Sequence, residues 1–295
     1  MRRAGDALTA VPLRRNLGEL HTIQDNYDLA VEHFSTALVD ARALGLTGQE
    51  AACLAGLGYL RRVLGQYAAA TEAFTEAARL GRELRNPACE VYATLGLGVI
   101  CRETGRAAES TAHYEHGRTL SLASAYRPGE AQALRGLGLL ALDRDALDEA
   151  EEHLAAARDI HVGSGDRLGQ AHALLWLAEI RIRRGALPAG ETMLAWCLLV
   201  YREHDNAFGQ ALTLRRLGSA HLTGGRVDSA RGALTEAVRI WRRLRSPYWL
   251  ADSLDVLVAV EDRRGDEAAA NSARQEARRL RAGLRTEAAV AAGVR

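Results

Sequence analysis

The sequence contains no lysine: all 38 basic residues among its 295 are arginine. A Walker-type phosphate loop needs the lysine that closes GxxxxGK[ST], a protein kinase needs its strand lysine, and pyridoxal-phosphate chemistry needs an amine for the Schiff base. None of these can be built here. Aromatic residues are only 5% of the chain and proline occurs only 5 times, and with Ala, Leu and Arg abundant this favours helix over strand. No apolar run approaches the roughly 18 residues of a membrane span. The opening Met1-Arg2-Arg3-Ala4-Gly5-Asp6 leads into no hydrophobic segment, so no secretory signal is read and a cytoplasmic protein is expected. The 38 basic residues face 37 acidic ones, a net charge of +1. That balance predicts no generalised attraction to nucleic acid or anionic membrane. Cys53, Cys89, Cys101 and Cys197 form no CxxC pair and read as buried free thiols.

What the sequence does have is a period of forty residues. Leucine stands at 17, 57, 97, 137, 177, 217 and 257, followed by Gly18, Gly58, Gly98, Gly138, Ala178, Gly218 and Val258. Two further columns are small throughout: Ala30, Ala70, Ser110, Ala150, Gly190, Ala230 and Ala270, and Ala37, Ala77, Gly117, Ala157, Cys197, Ala237 and Ala277. Between them runs a bulky column, Phe34, Phe74, Tyr114, Leu154, Leu194 and Leu234, which gives way to Arg274. A period of this length is the signature of stacked supersecondary units. The failure at Arg274 marks a last unit whose outer face must be polar because no neighbour covers it.

Within one unit the apolar spacing is three and four, as in Leu54, Leu57 and Leu64, then Phe74, Ala77, Leu80 and Leu84, so each unit holds two amphipathic helices. Gly65, Gly105, Gly185, Gly225 and Gly265 divide them, each suited to the left-handed residue that ends a helix, and Asp25 and Asp145 substitute in two units. The spacing predicts a first helix over about 49–64 and a second over about 68–84, with a longer joint between units. Pro87 and Pro247 fit first helical positions there. Seven helix hairpins therefore span 1–284, and 285–295 reads as a C-terminal tail.

The Leu57-Gly58 step in the first helix, followed by Ala70, Phe74 and Ala77 in the second, resembles the tetratricopeptide repeat family in its forty-residue variety. The resemblance covers about 280 of the 295 residues. It is similar to the arrays at the C-terminal end of bacterial signal-transducing transcriptional regulators, and Arg127-Pro128-Gly129-Glu130-Ala131 and Arg167-Leu168-Gly169-Gln170-Ala171 look most like that type. The resemblance implies an all-α, right-handed superhelical solenoid that binds a protein or peptide partner in a concave groove lined by the first helices. It implies no chemistry and no cofactor. A small-molecule sensor controlling a transcriptional regulator is the alternative it leaves open. The column in which some members hold a carboxylate-clamping asparagine reads Asn16, Gly56, Gly96, Gly136, Trp176, Arg216 and Val256, so that clamp is not expected.

On the inward columns of the first helices fall Arg15, Tyr59, Arg62, Tyr92, Arg102, Gln132, Arg135, His172, Glu179 and Arg215, the candidate partner-binding residues. Planar arginines with tyrosines suit carboxylates, phosphates and extended backbone, so the expected partner carries an acidic or phosphate-bearing element. The competing reading of the same columns is a solvated face of intramolecular Arg–Glu pairs. Asp252, Asp255 and Asp262 make the last unit's end acidic. Trp196 lies in a column of mostly polar residues and is expected to be exposed, a possible second contact. His113 and His116 form an i, i+3 pair, yet His33, His113 and His153 share one repeat column, so no metal site is read. No catalytic set converges, so no enzyme is expected; no helix-turn-helix is visible, so neither is direct nucleic-acid binding.

Overall fold

The computed structural model describes residues 2–293, with side chains from Leu8 onward. Among the described residues there are fourteen helices and no strand: α1 (Arg2–Ile23), α2 (Tyr27–Ala43), α3 (Thr47–Val63), α4 (Tyr67–Glu83), α5 (Pro87–Glu103), α6 (Ala107–Ala123), α7 (Arg127–Asp143), α8 (Leu147–Gly163), α9 (Arg167–Arg183), α10 (Leu187–Glu203), α11 (Ala207–Thr223), α12 (Val227–Arg243), α13 (Pro247–Arg264) and α14 (Glu267–Ala291). The architecture is an all-α solenoid in which consecutive helices pack together from α1 to α6 and from α8 to α13. It divides into two compact units, 1–136 with 287–295, and 137–286.

Every helix from α2 to α12 is 17 residues long. The forty-residue period is thus two helices and two three-residue joints. Each joint closes in the same way. At the end of α3, the Gly65 N–H donates to the Arg62 carbonyl (2.9 Å) and the Gln66 N–H to the Arg61 carbonyl (2.8 Å), the Schellman pattern that satisfies carbonyls the helix leaves unbonded. The pattern needs one left-handed residue. It recurs every twenty residues at Asp25, Gly45, Gly65, Arg85, Gly105, Ala125, Asp145, Gly165, Gly185, Asp205, Gly225, Arg245 and Gly265.

The longer joint expected between units is therefore absent, and α3 begins at Thr47 rather than near residue 49. Turns between hairpins are as short as turns within them, but several lack glycine and so leave a weaker trace in the sequence. A side chain is tolerated at these positions because a Cβ at Gly45, Gly105 or Gly165 would meet nothing within 4 Å. The cost of Arg85, Ala125 or Arg245 is only the strain of positive φ, roughly 1–2 kcal/mol each. Pro87 and Pro247 do stand at the first positions of α5 and α13, where the missing N–H has no helical partner to lose.

The bulky column of the second helices interlocks with two glycine columns of the first helices. A Cβ on Gly58 would fall 2.8 Å from the Phe74 ring of the same hairpin, and a Cβ on Gly96 would fall 2.6 Å from that ring from the next hairpin. Phe34 sits likewise between Gly18 (2.9 Å) and Gly56 (2.7 Å), and Tyr114 between Gly98 (2.9 Å) and Gly136 (2.4 Å). The bulky residue of each second helix is thus the wedge that joins its own first helix to the following one. Burying such a ring contributes roughly 2–3 kcal/mol. Ser110, in the first small column, is fully buried and donates to the Gly98 carbonyl at 2.7 Å, so its hydroxyl does not offset the close approach. Three cysteines are buried and Cys89 is half-buried; all four are free thiols.

Candidate functional site

The first helices of neighbouring hairpins touch one another: α1 with α3 and α3 with α5 in the N-terminal unit, α9 with α11 and α11 with α13 in the C-terminal one. Each unit therefore carries a wall of first helices onto which the candidate residues fall.

In the N-terminal unit the wall is organised by a buried ion pair. Arg62 Nη1 of α3 donates to Glu103 Oε1 of α5 at 2.6 Å, with side chains only 10% and 2% exposed. The guanidinium also lies 5.5 Å from the centre of the Tyr59 ring, within cation–π range. Burial alone would lower the Arg62 pKa, but Glu103, then Tyr59, Tyr67 and Tyr92, hold it above its ordinary value. Burial pushes the Glu103 carboxyl up, against Arg62, Arg102 and hydrogen bonds from Arg62 and Tyr67. The phenols of Tyr27, Tyr59 and Tyr92 are raised by burial too. Burial also pushes Tyr114 up to about 12, opposed by Arg102 and then Arg135. Arg15 pairs with Glu19 at 3.4 Å and donates to Asn16 at 2.8 Å. Arg102 and Arg135 are half-buried and Gln132 is exposed.

The C-terminal unit is organised differently. Arg216 is buried and stacks 3.8 Å over the Trp176 ring, with Glu179 3.9 Å from its Nε. Burial alone would raise the Glu179 carboxyl, yet Arg216, then Arg183 and Arg215, carry it below the usual range. Arg183 donates to Glu179 at 3.0 Å and to the Leu142 carbonyl at 3.0 Å. Arg263 repeats the second contact on the Leu222 carbonyl at 2.9 Å. An arginine on one first helix thus meets the negative end of the preceding first helix, a favourable placement. Arg215 pairs with Asp252 at 2.7 Å, and the Tyr201 hydroxyl lies 2.8 Å from His172 Nδ1.

The candidates thus divide between two clusters. Tyr59, Arg62, Tyr92, Arg102, Arg135 and Arg15 belong to the N-terminal wall; His172, Glu179 and Arg215 belong to the C-terminal one. Several inward arginines are spent on carboxylates of the protein itself, as the competing reading of those columns held. The acidic end expected near the last unit is also matched: Asp255 pairs with Arg281 and Asp262 with Arg274. Trp196 is half-buried rather than exposed. Sequence reasoning left Arg216 off the site and put Glu103 on the inward columns without pairing it with Arg62. Their signal was spacing: Arg62 and Glu103 stand 41 residues apart, one repeat and one residue, as do Arg183 and Leu142. No group of three or more metal-ligating side chains comes together among the described residues. No described helix is long and apolar enough to cross a membrane.

A family model described as Tetratricopeptide repeat matches residues 118–164, from within α6 to the end of α8. The match covers about one repeat unit, and the same columns recur through the hairpins before the last. No curated protein matches it in sequence. The fold is shared with a Rap protein complexed with Competence and Sporulation Factor, at 13% identity and TM-score 0.76, over 95% of this chain and 77% of that one. It is shared equally with the Rap conjugation gene regulator of plasmid pLS20 in complex with a peptide, at 15% identity and TM-score 0.76, over 95% and 76%. Aspartyl phosphate phosphatase F from Bacillus subtilis is similar at 10% identity and TM-score 0.66, over 95% and 72%.

Proposed function

We propose that the protein is a non-enzymatic peptide-binding module of a bacterial regulatory system, and that an extended segment of its partner lies along the N-terminal wall of first helices. The observation that carries this reading is the arrangement of Tyr59, Arg62 and Glu103 on α3 and α5. A buried, mutually neutralised ion pair holds the wall rigid, while half-buried Tyr59, Tyr92, Arg102 and Arg135 remain at its surface. Fixed aromatic and guanidinium groups bind extended backbone and carboxylates with little ordering cost. Two proteins of the same fold are described in complex with a peptide or a signalling factor, which supports the reading by analogy of fold.

Arg62 is not the residue that meets the partner, because its charge is already taken by Glu103. An acidic or phosphate-bearing element would be met by Arg102 of α5 and Arg135 of α7, both half-buried and so partly open to solvent. The test is capture from a displayed peptide library by the intact protein, by Arg102→Glu and by Arg158→Glu. Arg158 lies on α8 and pairs with its neighbour Asp159 at 2.7 Å, so it serves as the control. The expected outcome is that the peptides retained are acidic, that Arg102→Glu loses them roughly tenfold or more while Arg158→Glu keeps them, and that binding weakens as salt rises. Equal retention by both variants contradicts the proposal.

A further inference from the structure

Charge along the second helices is uneven. With histidine neutral, the ten-residue stretches 36–45, 76–85, 116–125, 156–165 and 196–205 each carry a net charge between −1 and +1, whereas 236–245 and 276–285 each carry four arginines against one glutamate. The two basic stretches meet in the C-terminal unit, on α12 and α14: Arg242 donates from Nε and Nη2 to the Glu276 carboxylate at 3.2 and 2.6 Å. Around that contact Arg239, Arg242, Arg243, Arg245, Arg278 and Arg279 are all exposed, the Arg239 side chain by 65% and that of Arg242 by 55%. Arginine in the last turn of α12 complements the negative end of that helix. Arg278 and Arg279 have no such role, since they stand in the middle of the 25-residue α14.

The columns of this patch face solvent in the earlier hairpins as well. There they hold Val39 on α2, Leu122 on α6, Val162 on α8 and Leu199 on α10, all more than half exposed. On α12 and α14 the same two columns hold Arg239, Arg242, Arg279 and Ala282, so the apolar side chains are gone where the arginines gather. A protein partner is held by a desolvated apolar centre with its charges at the rim, and a membrane surface by apolar side chains that enter it. The patch has neither. It offers planar, forked donors of one sign at high density. These match the regular phosphates of a nucleic-acid duplex, where affinity comes largely from charge neutralisation and counterion release.

We propose that this arginine patch on α12 and α14 binds the phosphate backbone of duplex DNA without regard to base sequence. The net charge of +1 argues against a general attraction of the whole chain to nucleic acid, not against this local one. The experiment is fluorescence anisotropy of a labelled DNA duplex titrated with the intact protein over a series of salt concentrations. The expected result is a Kd of about 1–100 µM near physiological salt, equal for two duplexes of unrelated sequence, with log affinity falling by about 0.9 per phosphate contacted for each unit of log salt. Arg239→Glu with Arg279→Glu is expected to weaken binding about tenfold or more and to take roughly two from that slope. Arg239→Lys with Arg279→Lys keeps the charge and the binding. Arg158→Glu, in the Arg278 column on α8, and Arg102→Glu, on the wall of first helices, leave it unchanged, so this surface is told apart from the groove. All variants are expected to keep the parent's thermal midpoint. Absence of binding at low salt overturns the proposal, as does equal loss in Arg158→Glu. So does affinity as high for polyglutamate or for phosphatidylserine vesicles, which would mark an acidic protein or a membrane as the partner.

Discussion

At the scale of single residues, the molecule is held by pairs of complementary size 22 positions apart. Phe34, Phe74 and Tyr114 face Gly56, Gly96 and Gly136, and then the pattern inverts: Leu154, Leu194 and Leu234 stand opposite Trp176, Arg216 and Val256 in the same two columns. A smaller wedge is matched by a larger seat. The two columns were each legible in the sequence, but the exchange between them was not. It joins residues of different hairpins, and only the close approach of Gly96 to Phe74 makes the columns one interface. Gly96→Val is therefore expected to cost about 1–3 kcal/mol by overpacking. Adding Phe74→Leu, as in the last pair, should recover part of that loss, a coupling of about 1 kcal/mol in a double-mutant cycle. Urea unfolding of the four proteins measures it, and simple additivity would mean that the two residues do not share a seat.

The helices themselves were readable because apolar spacing and the glycines at 65, 105, 185, 225 and 265 are strong signals. Three of the joints between hairpins were not, since Arg85, Ala125 and Arg245 carry no trace of the left-handed backbone they adopt. Tertiary packing of flanking helices overrides local preference there. The candidate site was legible in the same partial way. Arginine on inward columns was visible, but whether a given arginine faces a partner or a carboxylate of the protein depends on where the next helix places Glu103 or Asp252. The joints supply their own test. Ala125 has φ of 53°, and Ala125→Gly relieves its strain at the expense of a freer unfolded chain, for a net gain of about 0.5–1 kcal/mol. A rise of the urea midpoint with unchanged slope is the expected observation; a fall would show that the Ala125 side chain stabilises the fold by more than its backbone strain costs.

For the whole molecule, the two walls of first helices have different electrostatic structure. In the N-terminal unit Arg62 is held in a buried pair with Glu103, and Arg102 and Arg135 are half-buried. In the C-terminal unit Arg183, Arg215 and Arg216 converge on Glu179 and Asp252. The balance of near-equal charge across the sequence thus conceals an uneven distribution, and the N-terminal wall is the one proposed to meet an acidic extended partner. The most direct measurement of that claim is hydrogen–deuterium exchange of the protein with and without a peptide retained from the library. The account predicts that the added protection falls on α3 and α5, around Tyr59, Tyr92 and Arg102. Protection confined to second helices, such as α10 around Trp196, would contradict it.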